Sequence, residues 1–322
     1  METATTLRSV PVGDGDFDLY ADRWRRHMKA DSKAERTITD YLRVLSYFDE
    51  WLANTGRSRF VADVTKADIE ALKAYWLEAT HPDGTPYEPN TARLYTATLK
   101  SFFRWLHEGL DEGDGTETNP AEMVRLPKVP RKVMEIPEPE AVDAVMATTR
   151  GTSFADRRDR ALLGFLISSG TRESGVANLR VDDVHLDAKH PYCTIVLKGG
   201  NQHKARMDAE TVKDFDRYLA LRRRHPQASS PYLWLGPKGR MTASGVYQMV
   251  VRRAKVAGVH VTVHDFRRFA ASTLLARGAT IDDTMTLLGW TDRTMPSRYA
   301  AGTADERAAE THARLNPRAR EV

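Results

Sequence analysis

Five prolines interrupt the middle of the 322-residue chain, between residues 111 and 140. They are Pro120, Pro127, Pro130, Pro137 and Pro139. Because proline lacks a backbone donor and clashes with the preceding helical turn, this segment cannot form one continuous helix and favours extended backbone. At about 100–200 residues per domain, the chain on each side is long enough for one domain. The sequence therefore predicts two domains joined by an exposed, proline-rich linker over residues 111–137.

The first domain, residues 15–110, is predicted to be entirely helical. Apolar residues recur there at spacings of three and four, which is the helical period. The predicted helices are Leu19–Met28, Ile38–Leu52, Lys66–Glu78 and Thr91–Glu108. Thr37 and Asp40 have the spacing of a weak capping box at the start of the second helix.

The second domain, residues 138–303, is predicted to be mixed but mostly helical. The stretch YCTIVLKGGNQHKARM indicates a strand, a glycine-containing turn and a returning strand, which form a β-hairpin with Lys198 at its edge. A short helix from Ala304 to about Leu315 is predicted within a tail over residues 304–322. The predicted fold class is mainly α, or α+β with a small sheet. The other predicted helices are Glu140–Thr148, Asp156–Ser168, Glu173–Leu179, Glu210–Arg224, Ala243–Ala257, His264–Arg277 and Ile281–Leu288.

Composition narrows the class of protein and of partner. Residues 135–322 hold 29 Lys and Arg against 22 Asp and Glu, within a net charge of +4. Such an excess is compatible with a nucleic acid partner, although many basic enzymes bind none. No apolar run approaches the roughly 18 residues that span a bilayer, so no membrane association is expected. The single Cys193 and an N-terminus unlike a secretion signal favour a reducing cytoplasm.

Three clusters in the second domain carry side chains that could bind an anion or act on it. Arg172 follows the helix break SSG, where backbone N–H groups and a guanidinium suit a phosphate, or where the arginine forms a surface ion pair. His264 and Arg267 project from one helix face, as an anion-binding pair or as a capping histidine beside a surface arginine. Tyr299 lies nine residues after Trp290, as a nucleophile or a packing residue.

The joint order of these residues resembles the tyrosine recombinase, or phage integrase, family, the group of lambda integrase, Xer and Cre. The chain carries an arginine in a G-T-R-x-S frame, a hairpin lysine, H-x-x-R, an L-G-W step and a tyrosine nine residues beyond that tryptophan. Residues 15–110, with N-T-A-R and F-F-R-W-L, resemble the SAM-like core-binding domain. Residues 138–303 resemble the catalytic domain, most specifically in the segment from HDFRR to RYA.

The resemblance implies an active DNA strand transferase that needs no metal, no cofactor and no ATP. Tyr299 would attack a phosphodiester and form a 3′-phosphotyrosyl intermediate while two arginines neutralise the phosphorane. His264 would act as general base or orienting donor, Trp290 would bond the phosphate or pack the site, and Lys198 would protonate the departing 5′ oxygen. The implied catalytic set is Arg172, Lys198, His264, Arg267, Trp290 and Tyr299.

The chain also departs from the family pattern. Gly175 stands where an acidic residue usually follows three after the first arginine, so support for that arginine would come from elsewhere, such as Asp183. Arg268 stands where a second histidine often occurs. The hairpin turn is longer than the commonest form, and Lys204 on the returning strand is therefore an alternative general acid to the lysine in the turn.

DNA contacts are expected from both domains, which would close around the duplex as a clamp. Polar residues on two helices are candidates to read the sequence, although exposed helix positions are polar by default. The stretch from Arg125 to Lys132 carries four cations and no acid, which suits DNA passing between the domains or a solvated linker equally. The candidate DNA-binding residues are Arg93, Thr96, Lys100 and Arg104 in the first domain and Tyr247, Arg252 and Arg253 in the second.

The resemblance implies double-stranded DNA with specific recombination sites as substrate, and a homotetramer on synapsed DNA with room for accessory directionality factors. The tail helix would dock on a neighbouring subunit or cap its own subunit. Because barely 16 residues precede the first helix, we expect a compact Xer-like or mobile-element enzyme, associated with the nucleoid. The alternatives are a type IB topoisomerase, which shares the chemistry but acts as a monomer, and a non-catalytic DNA-binding regulator.

Overall fold

A computed structural model of the protein describes residues 15–81, 83–108, 118–129, 135–197, 200–294 and 312–313. Within these ranges lie eleven α-helices and five short strands. The predicted mainly α fold with a small antiparallel sheet is thereby confirmed. The chain divides into two compact units, Met1–Lys132 and Val133–Val322. Every helix in the described ranges is too short or too polar to span a lipid bilayer.

The first unit packs four helices around a core of aromatic side chains. Trp24, Phe48, Phe102 and Phe103 are at most 1% exposed and form a chain of edge-on ring pairs. The ring centre of Phe102 lies 5.3 Å from that of Trp24 and 5.0 Å from that of Phe103, and the centre of Phe103 lies 6.4 Å from that of Phe48. The four predicted helices are all present. Their bounds are α1 Phe17–Ala30, α2 Glu35–Asn54, α3 Lys66–Glu78 and α4 Pro89–Glu108.

The first turns of α2 and α3 are capped differently. Helix α3 begins behind Thr65, whose backbone N–H and hydroxyl both donate to the Asp68 carboxylate, so this start has a true capping box. Helix α2 instead begins at Glu35 behind Ala34. The capping box predicted from Thr37 is therefore wrong, because that residue lies inside the first turn rather than before it.

The chain after α4 returns to the first unit. Ala121 and Val124 are buried in its aromatic core. The Lys100 ammonium on α4 donates to the carbonyls of Ala121, Glu122 and Val124 at 2.6 to 2.9 Å. Residues 118–129, the post-α4 segment, are thus held on the first unit at several points, whereas the sequence indicated an exposed linker over 111–137.

The second unit is built around one almost fully buried helix, α6. Its apolar side chains from Ala161 to Leu166 are buried, and Phe165 packs edge-on against Phe215 with ring centres 5.7 Å apart. The helices are α5 Pro139–Ala147, α6 Phe154–Ser169, α7 Glu173–Asn178, α8 Ala209–Arg222, α9 Ala243–Val256, α10 Val263–Ala276 and α11 Ile281–Leu288. The tail helix predicted from Ala304 lies outside the described residues except at 312–313.

A three-stranded antiparallel sheet lies between α7 and α8 in the chain. Its strands are β1 Val184–His185, β2 Tyr192–Val196 and β3 Gln202–Arg206, in the order β1-β2-β3. The pairing of β2 with β3 confirms the predicted hairpin, with Ile195 opposite His203 and Thr194 opposite Lys204. A second hairpin, β4 Leu235–Gly236 with β5 Gly239–Arg240, was not predicted because each strand has only two residues.

A partly buried ion network joins α6 to α9. Arg253 donates from Nε to Asp159 at 2.9 Å, from Nη2 to Asp156 at 2.9 Å and from Nη1 to the Thr148 carbonyl at 2.7 Å. Hydrogen bonds from Ser153 and then Arg253 hold the pKa of the Asp156 carboxyl below its usual range. Since all three nitrogens of Arg253 are bonded inside the fold, the prediction that this residue reads DNA is wrong.

We expect Arg253→Met to lower the free energy of unfolding by about 3 kcal/mol, because it leaves a buried carboxylate with fewer donors. Arg252→Met, a change at the neighbouring exposed position, should stay within about 0.5 kcal/mol of the wild-type protein. Urea unfolding of the full chain, followed by circular dichroism, measures both. Equal stability of the two variants would show that the network is not stabilising.

Candidate active site

The turn that carries Arg172 is locked by small and hydroxyl-bearing residues. Gly170 ends α6 with a left-handed φ of +58°, and a Cβ there would lie 2.6 Å from Leu288 Cδ2. The buried hydroxyls of Ser169 and Thr171 on either side of it are 2.8 Å apart. Only glycine meets both the backbone conformation and the close approach. The turn therefore places Arg172 reproducibly at the N-cap of α7.

Arg172 itself is exposed, and its guanidinium forms no hydrogen bond or ion pair with the part of the chain that the structure describes. Asp183, the carboxylate expected to support it, instead accepts from the Arg180 backbone N–H at 2.8 Å. That expectation is wrong because Asp183 caps its own 3-10 turn. The first predicted catalytic arginine is thus presented to solvent with its charge available to an anion.

Arg267 is the opposite case, a charged side chain only 5% exposed. On α10 it donates from Nη1 to the Gly170 carbonyl and from Nη2 to the Leu288 carbonyl at 3.1 Å. Its guanidinium carbon lies 5.0 Å from the centre of the buried Trp290 ring. Arg267 therefore joins the end of α11 to the turn that carries Arg172. Through these contacts, three of the six predicted catalytic residues are linked in space: Arg172, Arg267 and Trp290.

His264 lies one helical turn before Arg267 on α10 and is exposed. The start of α10 is fixed by Asp265, whose carboxylate accepts from both the backbone N–H and the hydroxyl of Thr262 at 2.8 and 2.7 Å. The capping role is thus filled by Thr262 and Asp265. His264 is left at the surface, where it can contact a substrate.

Lys198 and Tyr299, the predicted proton donor and nucleophile, lie outside the described residues. The alternative lysine, Lys204, is exposed on β3, with its ammonium 4.9 Å from the centre of the Tyr192 ring. Side chains alternate along a strand, and the neighbouring His203 contacts the Leu287 carbonyl of α11 at 3.1 Å. Lys204 therefore points to the face of the sheet away from α11, which favours Lys198.

The candidate DNA-binding residues on α4 fall into two groups. Thr96 is 3% exposed and donates its hydroxyl to the Ala92 carbonyl, and Lys100 holds the post-α4 segment. Burial lowers the pKa of the Lys100 ammonium. These two predictions are wrong, because both side chains are engaged inside the unit. Arg93, which donates to the Pro127 carbonyl at 3.0 Å, and Arg104 are exposed.

Two arginines that sequence reasoning missed flank one tyrosine ring in the second unit. The guanidinium carbon of Arg240 lies 3.5 Å from the centre of the Tyr232 ring, and that of Arg180 lies 5.9 Å from it. Neither arginine forms an ion pair within the described ranges. The backbones of Arg180 and Tyr232 form an isolated β-bridge, and the β4–β5 hairpin brings Arg240 to the same ring. No sequence signal links positions 60 residues apart.

Arg240, one member of the Arg180–Tyr232–Arg240 stack, comes shortly before α9 in the chain, since that helix begins at Ala243. Of the two remaining candidate DNA-binding residues, Tyr247 is 41% exposed on this helix, and Arg252 is also exposed. Guanidinium groups without a carboxylate partner in the described ranges, next to the exposed face of α9, suit the phosphates of a nucleic acid.

Known proteins share both units of this fold. Residues 137–306 match the model of the phage integrase family, and residues 21–109 match that of the phage integrase N-terminal SAM-like domain. The chain is 26% identical over 279 residues to the tyrosine recombinase XerA of Pyrococcus horikoshii, covering 83% of this chain and 84% of that protein.

Two solved structures are similar in fold. One is the XerH site-specific recombinase bound to a palindromic difH substrate in a post-cleavage complex, with a TM-score of 0.70 and 14% identity over 97% of this chain and 99% of that one. The other is a lambda integrase dimer bound to a COC′ core site, with a TM-score of 0.65 and 15% identity over 88% and 94% of the two chains.

The contrast between the two arginines predicts different stability effects. Arg267→Ala should lower the free energy of unfolding by about 2 kcal/mol, because two buried carbonyls lose their donor. Arg172→Ala should change it by less than about 0.5 kcal/mol, as is usual for an exposed residue. Urea unfolding of both variants measures the difference. A large loss for Arg172→Ala would contradict its assignment as a solvent-facing side chain.

Proposed function

Because the chain belongs to the phage integrase family, whose members include tyrosine site-specific recombinases, we propose that it cleaves and rejoins DNA through a 3′-phosphotyrosyl intermediate on Tyr299. The observation that carries this proposal is the bonding of Arg267 to both the Gly170 turn and the end of α11. This bonding places a rigid cation beside the turn of the exposed Arg172. Such a pair suits a phosphodiester that gains negative charge as it reacts.

The two guanidinium groups supply charge stabilisation. A phosphorane carries more negative charge than the phosphodiester from which it forms, so donors fixed in advance lower the barrier. Arg267 needs no reorganisation, since two carbonyls and the Trp290 ring hold it. Trp290 acts in this proposal by packing the arginine. Arg172 completes the pair from the α7 N-cap.

Proton transfers accompany the exchange of bonds at phosphorus. A tyrosine hydroxyl has a pKa near 10, so attack requires removal of its proton, for which the exposed His264 is the candidate base. The bond from phosphorus to the 5′ oxygen breaks, and Lys198 protonates that oxygen. The phosphotyrosyl ester conserves the energy of the broken bond, so a 5′-hydroxyl reseals the strand by the reverse step. The proposed reaction therefore needs no metal and no ATP.

We further propose that residues 15–110 and 138–303 act as core-binding and catalytic domains on double-stranded DNA with specific recombination sites. The exchange of strands between two duplexes uses four active sites, so the proposed assembly is a homotetramer on synapsed DNA. Phosphate contacts are assigned to Arg93 and Arg104 in the first unit and to Arg240 with Arg180 in the second, since these cations are exposed.

The covalent intermediate is directly testable. DNA that remains attached to the denatured protein, recovered from cells that express it, is sequenced to find the target site. A duplex with that site, nicked so that the cleaved end diffuses away, should then form an adduct with the wild-type protein on a denaturing gel, in the presence of EDTA. Tyr299→Phe should form none, while Tyr75→Phe, a change at an exposed tyrosine of α3, serves as a matched control that retains the adduct.

In the same assay, Arg172→Ala should slow adduct formation by about two to three powers of ten, the usual effect of losing one preorganised donor. Exchange between two differently marked duplexes is the expected final product. Relaxation of supercoiled DNA without exchange would instead identify a topoisomerase. Binding without any adduct would identify a non-catalytic regulator and overturn the proposal.

The salt dependence of DNA affinity tests the phosphate contacts. Arg240→Ala should reduce the slope of log affinity against log salt concentration by about one, because one phosphate contact is lost. Lys213→Ala is the control, since Lys213 is exposed but already paired with Glu210 at 2.6 Å. Fluorescence anisotropy with a labelled duplex measures both slopes. Identical slopes for the two variants would remove Arg240 from the DNA contact surface.

A further inference from the structure

We propose that His203 is a positioning residue, which pins the β2–β3 hairpin to the end of α11 and so places the lysine that protonates the leaving oxygen. This inference rests on the proposed function, because the role of Lys198 belongs to it. His203 is not part of the predicted catalytic set. Three observations carry the inference.

The first observation is a shared helix end. The last carbonyls of an α-helix have no partner within the helix. At the end of α11, the Leu287 carbonyl bonds His203 Nε2 at 3.1 Å, and the next carbonyl, that of Leu288, accepts from Arg267 at 3.1 Å. Adjacent peptide groups thus bind the hairpin and the buried arginine. The hairpin is therefore tied to the same element that holds Arg267 in place.

The second observation is a close approach at Gly289. This residue caps α11 with a left-handed φ of +63°, and a Cβ there would lie 3.2 Å from His203 Cγ and 3.2 Å from Leu197 Cδ1. The absence of a side chain lets the hairpin rest against the backbone next to Trp290. Leu197 immediately precedes Lys198, and its backbone N–H donates to the Asn201 carbonyl at 2.8 Å. The contact therefore reaches the residue that directly precedes Lys198 in the chain.

The third observation concerns the protonation of the ring. Burial, together with the positive charges of Arg267 and Arg206, holds the pKa of His203 below its usual range. A neutral imidazole carries one N–H group, and a carbonyl can only accept. The hydrogen therefore resides on Nε2, and His203 donates to Leu287. A neutral donor at this position adds no further positive charge beside Arg267.

The expected effect follows from the geometry of proton transfer. A general acid must lie within hydrogen-bond distance of the atom that it protonates, and a displacement of about 1 Å can cost two powers of ten in rate. Without the bond to Leu287, the hairpin keeps its strand pairing but loses its hydrogen-bonded attachment to α11. The loss should therefore affect protonation of the leaving group more than attack by the tyrosine.

The test compares two substrates under single-turnover conditions. One is the ordinary nicked duplex, and the other has sulfur in place of the bridging 5′ oxygen at the cleaved bond. Because a thiolate leaves without being protonated, the sulfur substrate bypasses the general acid. His203→Leu should slow cleavage of the ordinary duplex by about one to two powers of ten and cleave the sulfur duplex at close to the wild-type rate.

Three further variants sharpen the result. Lys198→Ala should show the same rescue by sulfur, and His203→Gln, which keeps a side-chain N–H, should retain most activity on the ordinary duplex. His185→Leu is the matched control, because His185 is a partly buried histidine of the same sheet that contacts Thr194 Oγ1 at 3.3 Å and the Tyr192 ring at 4.5 Å between ring centres. Its cleavage rates should match those of the wild-type protein on both substrates.

An equal loss for His203→Leu on both substrates would overturn the inference, since the defect would then lie in the arginine site or in folding. No loss on the ordinary duplex would overturn it as well. The proposed function fails separately, if the wild-type protein forms no adduct with either substrate. Thermal unfolding of His203→Leu checks that the second unit still folds at the assay temperature.

Discussion

The second unit depends on one buried cation. Arg267 is 5% exposed, and its described contacts are two backbone carbonyls and an aromatic ring. A guanidinium removed from water requires hydrogen bonds, because an unpaired buried charge is very costly. The fold meets this requirement with the ends of two helices, α6 and α11. The same bonds that pay this desolvation cost also hold the turn of Arg172 beside the buried arginine.

Two glycines make this arrangement possible. Gly170 and Gly289 both cap helices with positive φ, and a Cβ would overlap Leu288 at the first and crowd His203 and Leu197 at the second. Side chains of α10, α11 and the hairpin can therefore pack directly against the backbone at these two points. The end of α11 then serves as a common support, which bonds Arg267 through one carbonyl and His203 through the preceding one. The β2–β3 hairpin and the buried arginine thus share one support.

Positive charge has several distinct uses in this chain. Arg253 holds two helices together, and Lys100 fastens the post-α4 segment to the first unit. Arg240 and Arg180 instead flank a tyrosine with no carboxylate partner in the described ranges. Only cations of the latter kind can exchange counterions for DNA phosphates. The number of lysines and arginines in a sequence therefore indicates nucleic acid binding only when the cations that form bonds inside the fold are left out of the count.

Local patterns in the sequence determined the helices, the β2–β3 hairpin and the order of the catalytic motifs, because helical periodicity, strand pairing through a short turn and motif spacing act between near neighbours. The tertiary structure alone decided which polar residues are free to bind. Arg253 is engaged by Asp159, 94 residues earlier, and Lys100 by carbonyls more than 20 residues later. Arg180 and Arg240 lie on the same tyrosine ring only because a backbone bridge pairs Arg180 with Tyr232, which is distant in the sequence. A hydrogen bond is a short-range interaction in space, and the helical pattern of a sequence does not show which distant groups folding brings within that range.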